Sequence, residues 1–276
     1  MTNIHPSAYV APGAELDSSV VVGPFCYVGS RVQIGAGTTL GPHVTIQGRT
    51  TIGTGNHFIG QAAIGGKPQD LKYAGEESAL VIGDENVIRE FVTINIGTAA
   101  GSWITSVGDK NLIMACAHVA HDCVLEDEVI LGNNVLLAGH VRIESQAIVS
   151  GGTAINHFVT IGTLAMVGGM TRIVKDVPPF MVVEGSPGRV RGVNSIGLKR
   201  RGKSQQVMEQ LRDAYRQLFS ESVPTRVALD QVEQQADLVP EVRRLLAFLH
   251  DMERGFQGRY RESLRRPLEE ELEAGA

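Results

Sequence analysis

Stepping six residues at a time from Ile4, the chain places Val10, Leu16, Val22, Val28, Ile34, Leu40, Ile46, Ile52, Phe58 and Ile64 on one apolar beat. The beat returns at Ile82, Ile88 and Ile94 and slips by one residue. It then runs through Val107, Ile113, Val119, Leu125, Leu131, Leu137, Ile143, Val149, Ile155, Ile161, Val167 and Ile173. Only 43% of the chain is hydrophobic, so unbroken apolar occupancy is far from chance. Neither a helix, with a period of 3.6, nor a lone strand, with a period of 2, accounts for a period of six. A coil of three short flat strands does. Each side points one side chain inward, and glycines such as Gly23, Gly41, Gly132 and Gly168 follow the beat where the coil must turn. Eighteen residues then close one turn, and turns stack at the strand spacing of about 4.8 Å. The beat predicts a parallel β-helix of between eight and nine turns, roughly 40 Å tall.

Two gaps interrupt the beat, at Gly65–Val81 and Gly97–Ser106. Solenoids accept insertions where they bulge outward, often on the binding face. The first gap contains Gly66-Lys67-Pro68-Gln69-Asp70-Leu71-Lys72-Tyr73-Ala74-Gly75, which is polar and hinged by glycine. Beyond residue 198 the composition changes: 28 of the 32 glycines lie before it, and the remainder is rich in Glu, Arg, Gln and Leu, a helical mixture. Pro178, Pro179 and Pro187 interrupt any regular pattern and place the boundary inside Pro178–Lys199. Ser204 is a cap for a predicted helix to about Phe219, with Val207, Leu211, Ala214, Tyr215 and Leu218 on one stripe. A second helix starts at Thr225, and Pro240 opens a third that Gly255 ends. The organisation expected is mainly β: a β-helix over residues 1–190 with insertions near 65–81 and 97–106, a small C-terminal α-helical domain over 191–256, and a flexible tail over 257–276.

The net charge of −5 disfavours a nucleic-acid binder. No apolar run approaches the ~18 residues needed to span a bilayer, and Met1–Val10 lacks the basic and apolar regions of a leader. Three cysteines, Cys26, Cys116 and Cys123, cannot all pair, and no C-x-x-C occurs. These features together predict a cytoplasmic protein without a membrane span.

His118, His121, His140 and His157 lie within forty residues. On the eighteen-residue repeat, His121-Asp122, Gly139-His140 and His157-Phe158 fall into a ladder on one side of the prism, its ends about 10 Å apart. Histidine titrates nearest neutrality and serves as a general base with little tuning. Asp122 is placed to orient His121, and a glycine beside a histidine leaves a backbone N–H for an oxyanion. Cys116, His118, His121 and Cys123 form an alternative zinc set. Against it, neighbouring side chains along flat strands diverge to opposite faces.

Several stretches carry a closer likeness: Pro68-Gln69-Asp70-Leu71-Lys72-Tyr73-Ala74-Gly75, Ala117-His118-Val119-Ala120-His121-Asp122, Leu137-Ala138-Gly139-His140, Gly192-Val193-Asn194 and Gly197-Leu198-Lys199-Arg200-Arg201-Gly202. In order and spacing, over roughly residues 1–255, they resemble the acyl-[acyl-carrier-protein]–UDP-N-acetylglucosamine O-acyltransferases of lipid A biosynthesis, within the hexapeptide-repeat acyltransferases. The resemblance implies a left-handed coil and a homotrimer with active sites between neighbouring prisms. It implies transfer of a 3-hydroxyacyl chain from acyl carrier protein to the 3-hydroxyl of UDP-N-acetylglucosamine, with no metal or other cofactor. His121 would be the general base, Asp122 its orienting partner and the Gly139 N–H the oxyanion donor. Gln69, Asp70, Lys72, His118, His140 and His157 would position substrate. Asn194, Arg200 and Arg201 would handle the nucleotide, and Gly169 would set acyl-chain length. The chain departs from the pattern at Asn95-Ile96, where His-Arg is expected, at Asn156-His157, where His-Gln is expected, and at Ile196, where an acidic residue is expected. The tail from Arg259 has no counterpart. A relative acting on another UDP-sugar, or a trimeric zinc-dependent protein like the β-helical carbonic anhydrases, is the alternative.

Overall fold

The computed structural model describes residues 3–219, 224–254 and 258 of the 276. Every beat residue from Ile4 to Ile173 sits in its own short strand, most of them two residues long. The strands form three sheets of eleven, nine and eight members, and within the coil each pairs in parallel with the strand one turn away. On the first face Leu112–Ile113 pairs with Ile130–Leu131 and then Ile148–Val149. On the second, His118–Val119 pairs with Leu136–Leu137 and then Ala154–Ile155. On the third, Val124–Leu125 pairs with Arg142–Ile143 and then Thr160–Ile161. The result is a left-handed parallel β-helix.

Two-residue strands make few hydrogen bonds each, so the stacked interior must hold the coil. Ile46, Ile64, Ile94, Val119, Leu131 and Val149 are fully buried in one continuous core, and burial of such side chains is worth about 1.5–3 kcal/mol apiece. Many corners place a non-glycine residue in the left-handed region. Asp122, His140 and Phe158 have φ of 59°, 64° and 65° and occupy equivalent positions in successive coils. The sharp turn they make aims the ladder side chains.

The insertions are shorter than the gaps in the beat. Strands Ala63–Gly66, Ala79–Ile82, Thr93–Asn95 and Ile104–Val107 confine them to residues 67–78 and 96–103. Residues 79–81 and 104–106, expected outside the coil, extend third-face strands instead: Ala79–Ile82 pairs along its length with both Arg49–Ile52 and Ile104–Val107. The beat samples only one residue in six and cannot show such extensions. Where the insertions stretch the repeat, a stack of buried asparagines keeps the coils aligned. Asn56 Oδ1 accepts from Asn86 N–H and Nδ2, both at 2.9 Å, Asn86 Oδ1 from Asn111 N–H at 2.9 Å, and Asn111 Oδ1 from Val129 N–H at 2.7 Å.

The stretch expected to lack regular structure holds some. Met181–Glu184 pairs in parallel with Met166–Val167 and antiparallel with Arg189–Val193, a hairpin that straddles residue 190. Helix α1 (Ser195–Arg200) follows, then α2 (Gln205–Leu218), α3 (Thr225–Glu233) and α4 (Pro240–Glu253). Ser204 caps α2 through Val207 N–H, and Pro240 opens α4. The helices share a second core with the end of the prism, in which Leu164, Phe180 and Met181 meet Leu198, Leu211, Leu229 and Leu245. The expected stop at Gly255 and nearly all of the tail lie outside the described residues.

The asparagine stack makes a prediction. Asn86→Ala removes the Nδ2 donor to Asn56 Oδ1, which keeps the residue 86 N–H, and leaves Asn111 N–H buried without its acceptor; it should lower the unfolding free energy by about 1–3 kcal/mol. Urea denaturation measures it, and an unchanged midpoint would show that the stack contributes nothing to register.

Candidate active site

The ladder lies at the corner joining the second and third faces. His121 Nδ1 is 2.8 Å from Asp122 Oδ2, and the Asp122 side chain is only 1% exposed. A buried carboxylate is costly unless its lone pairs are satisfied. Here the second insertion satisfies them: Asp122 accepts from Thr98 Oγ1 at 2.6 Å, Thr98 N–H at 3.1 Å and Ser102 N–H at 2.9 Å. Gly101 makes this cradle possible, since a Cβ there would stand 2.2 Å from the carboxylate carbon. Burial pushes the Asp122 carboxyl up. The hydrogen bonds from His121 and Thr98, with the charge of His140, more than offset it and hold the group below the usual carboxylate range.

A carboxylate at Nδ1 fixes the neutral ring with its hydrogen there and leaves the Nε2 lone pair free to take a proton. Nε2 faces the first insertion, where Asp70 Oδ2 stands 3.8 Å away. Asp70 is itself oriented by the Lys72 N–H, which donates to Oδ1 at 3.0 Å. Glu76 ties the two insertions together by accepting from Ala74 N–H at 2.9 Å and Ala99 N–H at 3.1 Å.

One coil further on, the His140 ring meets His121 edge-on with centroids 5.0 Å apart. Its Nε2 is 3.8 Å from Asp122 Oδ2. Gly139 lies against the His121 ring: a Cβ there would be 2.6 Å from Cε1 and 2.7 Å from Nε2. Its carbonyl accepts from Phe158 N–H at 3.2 Å, whereas among the described residues its own N–H donates no hydrogen bond. The third rung is the expected His157-Phe158 pair, with its two members unequally placed. Phe158 stacks flat on His140, with centroids 4.4 Å apart, while His157 is exposed beside it. Equivalent corner positions superpose at intervals of eighteen, and that interval from His140 falls on Phe158.

His118 projects from the second face and shares a 2.7 Å hydrogen bond with Thr93 Oγ1. Burial and then the charge of His121 lower its pKa, so its ring is neutral near pH 7. Gln69 and Lys72 are exposed on the first insertion. Asn194 is buried: its Nδ2 donates to Leu164 O at 2.9 Å and its Oδ1 accepts from Gly197 N–H at 3.0 Å, capping α1. These internal bonds engage both ends of the amide expected to meet a nucleotide. Arg201 pairs with Glu128. Arg200 instead lines a cavity of about 650 Å³ with Ile196, Lys199 and Arg212. Asn95 and Ile96, which depart from the expected His-Arg, are both buried, and Asn95 Oδ1 has no hydrogen-bond partner. The cysteine-containing zinc set does not form. Cys116 is exposed, and the buried Cys123 thiol donates to Ala138 O. Sequence reasoning missed Thr98, Ser102 and Gly101, which hold Asp122; they lie in an insertion with no beat to index them.

Comparison with known proteins accords with this geometry. Residues 176–257 match the family profile described as UDP N-acetylglucosamine O-acyltransferase, domain 2, and residues 14–48 and 104–139 match the bacterial transferase hexapeptide repeats. The curated acyl-[acyl-carrier-protein]–UDP-N-acetylglucosamine O-acyltransferase of Xylella fastidiosa is 49% identical over 91% of this chain and 96% of its own. That of Verminephrobacter eiseniae is 48% identical over 92% and 99%. The solved structure of LpxA from Acinetobacter baumannii aligns with a TM-score of 0.85 at 40% identity, covering 88% of this chain and 95% of that one. The Arabidopsis UDP-N-acetylglucosamine acyltransferase gives 0.79 at 35%, over 90% and 96%. The coil is thus that of a hexapeptide-repeat acyltransferase. Within that class the chain belongs to the acyl-[acyl-carrier-protein]–UDP-N-acetylglucosamine O-acyltransferase family.

The Asp122 carboxyl supports a pH prediction. A carboxyl with a lowered folded pKa contributes stability that is complete above the unfolded value, about 3.9, and is lost as pH falls through the folded value. The stability gap between the parent protein and Asp122→Asn should therefore shrink as pH falls below about 4. Urea titrations from about pH 5 down to about pH 3 measure it; a gap that widens over that interval would contradict the assignment.

Proposed function

We propose that this enzyme moves a 3-hydroxyacyl chain from the phosphopantetheine thioester of acyl carrier protein to the 3-hydroxyl of UDP-N-acetylglucosamine, opening lipid A biosynthesis. The observation that carries this reading is the His121 imidazole, held by Asp122 at Nδ1 while Gly139 with its unengaged N–H lies against the ring. His121 Nε2 takes the proton of the sugar hydroxyl as its oxygen attacks the thioester carbonyl. The Gly139 N–H donates to the resulting oxyanion, an interaction often worth ~3 kcal/mol. Collapse breaks the C–S bond, and the departing thiolate receives the proton from His121. Because the thioester is already activated, this route calls for no resident metal or redox cofactor.

His118, His140 and Asp70 surround the reacting centre and are the groups best placed to orient the acceptor sugar. Gln69 and Lys72, exposed on the same insertion as Asp70, are suited to the outer parts of the substrates. Arg200 brings a guanidinium to its cavity, suited to phosphate oxygens. Asn194 acts through the α1 segment that carries Arg200. His157, exposed at the edge of the ladder, suits contact with substrate or a neighbouring prism. Sites between neighbouring prisms would require the homotrimer, and the solvent-facing Tyr9, Tyr27 and Leu136 of the second face offer apolar surface for that packing. Among the described residues no helix is long and apolar enough to cross a membrane. With three cysteines free, this fits a cytoplasmic enzyme meeting carrier and sugar nucleotide there.

Gly169 is exposed at the corner between the first and second faces, less than two coils beyond Gly139 and about 8 Å along the axis. An acyl chain leaving the catalytic corner and crossing the second face past Leu136 would end there. A Cβ at Gly169 would stand 3.3 Å from Gly151 O, tight but with no left-handed backbone to strain, so a larger side chain can be accommodated by a small shift.

Two measurements test the reading. His121→Ala should lower turnover of acyl carrier thioester with UDP-N-acetylglucosamine by at least ~100-fold, the range of a general base, with an unchanged circular dichroism spectrum. Undiminished turnover would remove His121 from the mechanism. Gly169→Met should shift preference toward shorter thioesters in a panel of acyl carriers, and an unaltered profile would remove Gly169 from chain-length selection.

A further inference from the structure

We propose that His121, Asp122 and His140 also form a binding site for a divalent transition-metal ion, Zn²⁺ by its donor chemistry, and that the ion inhibits the enzyme. Ligand atoms from the three buried side chains lie within 4.8 Å of one another. Two of the separations are 2.8 Å, from His121 Nδ1 to Asp122 Oδ2, and 3.8 Å, from His140 Nε2 to the same oxygen. Zinc holds nitrogen and oxygen at about 2.0–2.2 Å, which puts tetrahedral neighbours roughly 3.3–3.5 Å apart. The observed separations bracket that value, so rotations of the two rings by a fraction of an ångström to about an ångström would close the set. Two imidazoles and one carboxylate suit zinc, whereas magnesium and calcium favour oxygen ligands. Three protein ligands with a fourth position left to solvent or substrate is the arrangement of open zinc sites.

The surroundings are also those of a metal site. Metal-bound carboxylates are held by further hydrogen bonds, and Asp122 already has Thr98 Oγ1, Thr98 N–H and Ser102 N–H on its oxygens. The ion takes the place of the hydrogen on His121 Nδ1, and the neutral ring then carries that hydrogen on Nε2. Asp70 Oδ2, 3.8 Å from Nε2, provides a negative charge that favours hydrogen there. A ring protonated at Nε2 has no lone pair to accept the proton of a hydroxyl. Zinc therefore silences the base without displacing it. The binding half of this inference is independent of the proposed reaction; the inhibitory half rests on His121 as its base.

Isothermal titration of the full-length, chelator-stripped protein with ZnCl₂ tests the site, with the visible absorption of Co²⁺ as a probe of coordination. One ion per chain is expected. Binding should weaken by about 10- to 100-fold or more in His140→Gln and in Asp122→Asn, since even outer-shell losses cost that much, and should be unchanged in Cys116→Ser. In the parent protein, zinc should shift the imidazole ¹⁵N resonances of His121 and His140, a readout that needs no variant to fold. Absence of stoichiometric binding, resonances that do not move, or undiminished affinity in both ligand variants would overturn the site. Full occupancy with turnover intact would overturn the inhibitory half, and with it His121 as base, while the binding site would stand. Loss of turnover in His121→Ala together with absence of zinc binding would separate the two the other way.

Discussion

Each coil can hydrogen-bond to the next only if the chain returns to the same position after a fixed length, and that requirement governs the rest of the molecule. A two-residue strand has no independent stability, so its place is fixed by the inward side chain above and below it. Moving the register by one residue would turn every inward apolar group toward solvent. The interior therefore accepts no polar residue on the beat, and the corners must absorb all of the bending. They do so with left-handed residues, among them Asp122, His140 and Phe158. The corner that satisfies the winding also points these side chains outward in a column, so the geometry of the ladder is a by-product of the packing rule.

This constraint explains how much could be read from the sequence. The beat located every strand of the coil because a single inward residue defines each one. It gave the ladder to the right corner, and His121, Asp122, Gly139 and His140 meet there. It gave His157-Phe158 as the third rung without telling its members apart: Phe158, which shares the corner position of Asp122 and His140, stacks on His140, and His157 is exposed. The C-terminal hairpin and α1 were hidden by prolines that mark turns between elements without excluding the elements themselves. Asn194 carried the appearance of a binding residue, yet a buried amide at a helix start is more strongly claimed by the backbone donors beside it. The donors to Asp122 were illegible for another reason: residues 96–103 follow no period, and only the folded loop shows that Gly101 admits the carboxylate.

The second insertion has a job that the coil cannot perform. A column of corner residues can bring an imidazole and a carboxylate together, but it cannot hydrate or hydrogen-bond a carboxylate sunk to near-zero exposure. An uncompensated charge in that position would take up a proton, and Nδ1 of His121 would lose its acceptor. Thr98 and Ser102 supply the missing donors, and Glu76 and Ser78 secure that loop to the first insertion, Ser78 Oγ donating to Gly97 O. The two excursions from the repeat are thus mechanically linked, one holding Asp122 from behind and the other bringing Asp70 to the far nitrogen of the same ring.

From this follows an asymmetry between the His121–Asp122 corner and the positions around it. His121, Asp122 and Gly139 are each constrained several times over, by register, by hydrogen bonds and by contacts that leave no room for another atom. A side chain at Gly139 would collide with the His121 ring. His157 and Ile196 are exposed and under weaker constraint, whereas Ile96 is buried in the core and the buried Asn95 retains an acceptor without a partner. An unsatisfied buried oxygen costs about 1–3 kcal/mol, which packing alone gives no reason to keep. The departures at His157 and Ile196 thus fall where the coil permits variation, while the His121–Asp122 corner is held by the same contacts that wind the chain.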